Sequence, residues 1–114
     1  MSYELVYSPE SLEDLDRIWA EIWDASGDFD IADRYIDGLR DSVRMKKKYP
    51  RTGLPLSYMG EFTGIYMVKF KAYIAFYRIH GSVIEVGRFL YAKSDYIKTL
   101  FGRSAFIPED TGDE

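Results

Sequence analysis

Five residues in the second half of the chain carry side chains able to act on a phosphodiester. Lys69 and Lys71 lie two apart in a β-prone run, and a strand places such residues on one face. Tyr91 and Lys93 stand together at the end of the last such run, with Arg88 just before them. If the strands align, Lys69, Lys71, Tyr91 and Lys93 converge at one end of a sheet as a cationic groove with aromatics, suited to RNA or to an acidic peptide. Metal-free RNA cleavage needs a group to take the 2′-hydroxyl proton, another to stabilise the pentavalent phosphate and a third to protonate the leaving oxygen. Tyr and Lys can exchange protons once their pKa values are tuned, and Arg and Lys can hold the phosphate. The plainer alternative for Lys69 and Lys71 is the solvated side of a half-exposed strand. Arg78 and Arg88 also have two readings: they touch phosphate or a partner's carboxylates, or they pair with neighbours such as Glu85. Arg88 shares parity with Ile84, Val86 and Leu90, so if buried it needs a partner.

Other chemistries find little support. His80, the single histidine, precedes Gly81 in a turn and reads as exposed. No strained nucleophile turn, glycine-rich phosphate loop or EF-hand pattern occurs. Cysteine is absent, which excludes disulfides, thiolate zinc sites and cysteine nucleophiles. The carboxylates of residues 10–24 read as a solvated helix face, so neither metal nor cofactor is expected. The lysines of 46–48 read as a solvated helix end, with phosphate binding as the alternative. Trp19 reads as core, and Trp23 as the core's edge or part of an interface.

The elements that must position these residues follow from periodicity. Residues 3–7 form a short β-prone run. Ser8 then caps a helix with Pro9 at its first position. Leu12, Leu15, Ile18, Trp19 and Ile22 mark its apolar face, and Ser26-Gly27 ends it. Asp28 or Asp30 caps a second helix, on which Ala32, Tyr35, Ile36, Leu39 and Val43 recur at helical spacing. Tyr49-Pro50-Arg51-Thr52-Gly53-Leu54-Pro55 opens a loop running to about Gly60 or beyond. Residues 65–70, 73–79 and 83–90 are rich in β-branched and aromatic side chains, and the short gaps between them suit hairpins. Residues 95–101 form a short terminal helix, with Ser94 as its cap. The order β-α-α-β-β-β predicts an α+β fold, with a helical hairpin packed on one face of an antiparallel sheet.

The chain has 114 residues and a net charge of −4, which suits one domain over 1–103 with an acidic, flexible tail over 104–114. The charge is divided unevenly. Residues 1–48 carry 12 acids and 7 bases, residues 49–103 carry 3 acids and 8 bases, and the tail carries 4 acids. The acidic total argues against electrostatic capture of nucleic acid, whereas the basic second half keeps an anionic partner open. No apolar run approaches the ~20 residues that span a bilayer, and the first residues lack the pattern of a signal peptide, so a cytoplasmic protein is expected.

Taken in order, several stretches resemble the RelE/ParE superfamily of toxins from type II toxin–antitoxin systems. The first is Ser8-Pro9-Glu10 followed by Leu12-Glu13-Asp14-Leu15-Asp16-Arg17-Ile18. Next come Ala32-Asp33-Arg34-Tyr35-Ile36-Asp37-Gly38-Leu39 and the exit Tyr49-Pro50-Arg51-Thr52-Gly53. Then follow Tyr73-Ile74-Ala75-Phe76-Tyr77-Arg78-Ile79 and Arg88-Phe89-Leu90-Tyr91-Ala92-Lys93-Ser94-Asp95-Tyr96. The resemblance implies a toxin neutralised by a cognate antitoxin in a hetero-oligomer, the antitoxin's C-terminal segment lying on the sheet and the hairpin. RelE-type members cut mRNA in the ribosomal A site; ParE-type members inhibit DNA gyrase. A nuclease would use Lys69, Lys71, Arg88, Tyr91 and Lys93. A target- or antitoxin-binding surface would use Tyr73, Tyr77, Arg78 and Trp23. Three positions depart from the nuclease pattern: Ser94 replaces a second base, Ile74 a base after the tyrosine, and Tyr66-Met67 a Tyr-Arg pair. The long helical hairpin and these gaps favour the ParE branch and a protein target. The alternatives are a RelE-type nuclease and a non-toxic relative that only binds the antitoxin.

Overall fold

Capping chemistry sets the helical boundaries. The computed structural model describes residues 2–102, and the acidic segment 104–114 lies outside the described residues. Strand β1 (Glu4–Tyr7) leads to Ser8, whose side-chain oxygen accepts from the Ser11 N–H at 3.0 Å and opens α1 (Pro9–Ser26). Gly27 closes α1 in the left-handed region, φ 69°, a conformation that costs glycine little. The Asp28 carboxylate accepts from the N–H groups of Asp30 and Ile31 and starts α2 (Phe29–Arg44). One turn of 3₁₀ helix (Pro50–Thr52) follows. Then come β2 (Leu54–Tyr58), β3 (Glu61–Phe70), β4 (Tyr73–His80), β5 (Val83–Tyr91) and α3 (Tyr96–Phe101).

The five strands form one sheet in the order β1-β5-β4-β3-β2. Strands β2 to β5 are antiparallel, and β1 joins β5 in parallel. The α+β arrangement is the expected one, with one strand more than periodicity indicated. Residues 54–58 were expected to be loop. They form an edge strand because the two-residue turn at Met59 and Gly60, φ 56° and 81°, folds them back onto β3. Such a turn matches the twist of paired strands, and an edge tolerates Pro55.

The sheet buries both faces. The hairpin of α1 and α2 covers one, where Leu15, Ile18, Leu39 and Val43 meet Ala75, Tyr77, Ile84, Val86 and Phe89. On the other face α3 places Tyr96, Ile97, Leu100 and Phe101 against Leu56, Ile65, Ile74, Phe76 and Leu90. The cap of α3 is Asp95, which accepts from the Lys98 N–H, in place of the expected Ser94. A second correction concerns α1. Its buried stripe is Ser11, Asp14, Leu15 and Ile18, while Leu12 is exposed. No helix of the described residues is long and apolar enough to cross a membrane.

Candidate functional site

The β3–β4 hairpin and the end of β5 bring the candidate residues to one end of the sheet, but divide them between its faces. Lys69 stands opposite Ile74, which stands opposite Leu90; Phe70, Tyr73 and Tyr91 form the next row. Lys69 therefore lies on the α3 side with Ile74. Lys71 does not share that face, because β3 ends at Phe70 and Lys71 takes φ 53° in the turn. Its ammonium lies 5.7 Å from the ring centroids of both Phe70 and Tyr35, and Tyr35 belongs to α2. Tyr91 is on the helical side too, 45% exposed, with its ring edge-on to Tyr73 at 5.7 Å. Lys93 is exposed beyond β5. The single-faced groove of Lys69, Lys71, Tyr91 and Lys93 is thus replaced by two separate surfaces.

Arg88 is committed elsewhere. Strand β1 pairs with β5 only as far as Val86, and a bulge at Gly87 shifts the β4–β5 register. Polar groups of the β1–α1 connection and of α1 take over the exposed edge. The Ser8 N–H donates to the Val86 carbonyl at 2.9 Å, and the Ser8 hydroxyl donates to the Gly87 carbonyl at 2.7 Å. The Asp14 carboxylate then accepts from the Phe89 N–H at 3.0 Å. The same carboxylate accepts from Arg88 Nε at 2.7 Å and Nη2 at 3.0 Å, and from Arg17 at 2.9 Å. Asp14 is 1% exposed. Burial alone would raise its pKa, but the hydrogen bonds from Arg88, Phe89 and Arg17 outweigh it and hold the carboxyl below its usual range. Asp14 was expected on the solvated side of α1. Its signal in the sequence was position, since 11, 14, 15 and 18 form one helical stripe and the acid sits within it.

The tyrosines are poorly placed for proton transfer. Tyr73 donates its hydroxyl to Glu21 at 2.8 Å; burial first, and Glu21 second, hold its pKa far above the ordinary tyrosine value. Tyr77 is 1% exposed and donates to the Pro50 carbonyl at 2.5 Å, with burial pushing its pKa up to about 12. Tyr77 clamps the 50–53 segment from inside and offers no surface. Arg78 is exposed, opposite Ile65 and Glu85, and Glu85 hydrogen-bonds His80 at 3.2 Å. No ion pair holds Arg78 among the described residues. Trp23 is 42% exposed at the hairpin tip, remote in sequence from the basic end.

A groove beside the basic end was not anticipated. Strand β2 pairs with β3 only as far as Met67, which leaves the 68–70 edge of β3 open. There Lys46 and Lys69 line an opening of about 350 Å³ together with Thr52, Met67, Ile74 and Tyr96. Lys46 also donates to the Thr52 hydroxyl at 3.1 Å, which ties the end of α2 to the 3₁₀ turn. The groove is lined by the apolar side chains of Leu54, Met67, Val68 and Ile74, by two lysines and by the edge of β3. It suits an extended acidic segment carrying a few apolar side chains. Among the described residues no group of three or more acidic or histidine side chains is arranged to hold a metal.

Comparison with known proteins bears on this geometry. The family model described as "ParE toxin of type II toxin-antitoxin system, parDE" matches residues 5–96. Among solved structures, the chain resembles one titled as the chromosomal ParDE TA system from P. aeruginosa. The TM-score is 0.67 at 17% identity, over 81% of this chain and 98% of that one. A YoeB/ParE toxin from Agrobacterium tumefaciens aligns with a TM-score of 0.52 at 22% identity, over 77% and 96%. A chain of the toxin–antitoxin complex RelBE2 from Mycobacterium tuberculosis aligns with a TM-score of 0.51 at 18% identity, over 80% and 99%. No curated protein matches the sequence.

Proposed function

The chain belongs to the ParE toxins of type II toxin–antitoxin systems, and from that premise we propose that it inhibits bacterial growth by binding a protein target, DNA gyrase, and that a cognate antitoxin neutralises it. The observation that carries the choice of a protein target over RNA is the dispersal of the nuclease candidates. Lys69 and Lys71 lie on opposite sides of the sheet, and Arg88 is bound bidentately to Asp14. Tyr73, whose ring meets that of Tyr91, has its hydroxyl turned to Glu21 with a strongly raised pKa. General acid–base catalysis needs groups that converge on one atom and titrate near the working pH. A binding surface needs neither.

The antitoxin reading draws support from the groove at Lys46 and Lys69 and from the solved relatives, two of which are titled as toxin–antitoxin assemblies. An acidic, extended C-terminal segment would add to the 68–70 edge of β3 and neutralise both lysines. The test of the target is direct. Purified chain, freed of antitoxin, is added to gyrase and relaxed plasmid, and supercoiling is followed on a gel. Inhibition that antitoxin reverses is the expected result. Full supercoiling at excess chain, with cleavage of mRNA on programmed ribosomes, would overturn the gyrase reading in favour of a RelE-type nuclease.

A further inference from the structure

The tip of the helical hairpin carries both of the protein's tryptophans. Trp19 and Trp23 stand one turn apart on α1, and Phe29 opens α2. The Phe29 ring stacks on both indoles, with centroids 5.6 Å from Trp19 and 5.1 Å from Trp23, and the two indoles tilt against each other at 5.8 Å. None of the three belongs to either core. Trp23 is 42% and Phe29 58% exposed, and Ile31 beside them is exposed too. The connection is short and held at both ends, by Gly27 in the left-handed region and by the Asp28 cap. The Trp19 indole N–H donates to Asp33 at 2.8 Å, which fixes the stack's orientation. The aromatic surface is therefore formed before any partner arrives, so binding orders few side chains.

Charge identifies the partner's chemistry. Residues 18–33 hold five acids and no base, and Asp24, Asp28, Asp30 and Asp33 are all exposed. Carboxylates around exposed aromatic faces attract cations twice over, through their own charge and through the ring quadrupoles. The same charge repels phosphate, so nucleic acid is a poor occupant. We propose that this tip docks a basic, amphipathic helical segment of a protein partner. Its Lys or Arg side chains lie over Trp23 and Phe29 and among the aspartates, and its apolar side covers the stack. The proposal deepens the protein-binding reading above and rests on it for the partner's existence; the surface itself is tested independently of gyrase.

Because both tryptophans sit in the stack, indole emission of the full chain reports on the tip. The chain is titrated with an 18-residue amphipathic peptide of Leu and Lys, and with the same peptide bearing Glu for Lys. A saturable emission change with the Lys peptide and none with the Glu peptide is expected. Phe29→Ser, which keeps both indoles, should abolish saturation. Asp24→Asn with Asp30→Asn, both exposed and outside the cores, should weaken affinity roughly tenfold, about the loss of two exposed ion pairs with the partner's cations. Equal response to both peptides, or unchanged affinity in Phe29→Ser with native circular dichroism, would overturn the proposal. So would an emission shift that follows protein concentration without peptide and accompanies a dimer in sedimentation, since the occupant would then be a second copy. None of these outcomes depends on whether gyrase is inhibited.

Discussion

At the scale of single residues, Asp14 has the largest predictable effect. It accepts from three partners while 1% exposed, and one of them is the Phe89 N–H at the point where β1 no longer covers β5. Asp14→Ala removes the ion pair and leaves that N–H and the Arg88 guanidinium without their acceptor. Breaking one side of a buried pair costs about 3–5 kcal/mol, and Arg88, itself 28% exposed, recovers some water and puts the expected loss near ~3 kcal/mol. Urea unfolding at pH 7 measures it as a lower midpoint at unchanged slope. Asp14→Asn should lose less, because its amide oxygen still accepts from Phe89. The pH dependence has a fixed sign. The folded carboxyl titrates below the unfolded value of 3.8, so its contribution is complete above that value and disappears as pH falls through the folded pKa. The stability gap between the native chain and Asp14→Ala should be flat from pH 5 to 7 and narrow below about pH 4. A gap that does not narrow at all as pH falls below the unfolded value would place Asp14's contribution in packing rather than charge.

At the scale of elements, a helical glycine decides how α2 meets the sheet. An added Cβ at Gly38 would overlap the tip of the Phe70 ring on β3, so the ring or the helix must shift to admit it. Gly→Ala inside a helix ordinarily stabilises by about 1 kcal/mol, but overpacking a tight contact costs about 1–3 kcal/mol. Gly38→Ala should therefore lower the melting temperature, and pairing it with Phe70→Leu, which shortens the opposing side chain, should recover part of the loss. A rise in melting temperature for the single variant would show that α2 can shift freely. Elements whose pattern is strong were legible in the sequence. Ser8 and Asp28 mark the helix starts, Gly27 the break, and the Tyr/Ile/Val-rich runs the three long strands. Strand β2 was not legible, because Pro55 and the glycines around it read as loop and its pairing comes from a turn at Met59 and Gly60 that no periodicity announces. Of the candidate site, the basic end of the sheet was legible. The faces were not: the runs 65–70 and 73–79 already leave Lys71 in the turn between them, yet extending the two-residue period from Lys69 to Lys71 treats both as lying in one strand. Asp14 was hidden for a related reason: acids surround it in sequence, and only the bulge at Gly87 brings Phe89 and Arg88 to it.

At the scale of the whole molecule, the uneven charge becomes two surfaces of opposite sign on different elements. The hairpin tip is acidic and aromatic, while the end of the sheet is basic and grooved. The two surfaces suit different partners, and the basic one is where we propose that the antitoxin binds. A ligand that binds only the folded chain stabilises it by RT ln(1 + [L]/Kd), about 2.7 kcal/mol at a hundredfold excess over Kd. For a domain of this size that is a rise of roughly 10 °C in melting temperature. A synthetic peptide of the cognate antitoxin's C-terminal segment should produce that rise. The rise should shrink as salt increases from 0.05 to 0.5 M, because Lys69 is exposed and Lys46 half-exposed, so screening reaches both. Lys46→Glu with Lys69→Glu should remove most of it and lower the unliganded melting temperature only slightly, since neither lysine is in an ion pair among the described residues and the one bond lost, from Lys46 to Thr52, is exposed. A melting temperature that antitoxin leaves unmoved, or a rise indifferent to both salt and the two substitutions, would separate the antitoxin from this groove, because charge complementarity is the reason for placing it there.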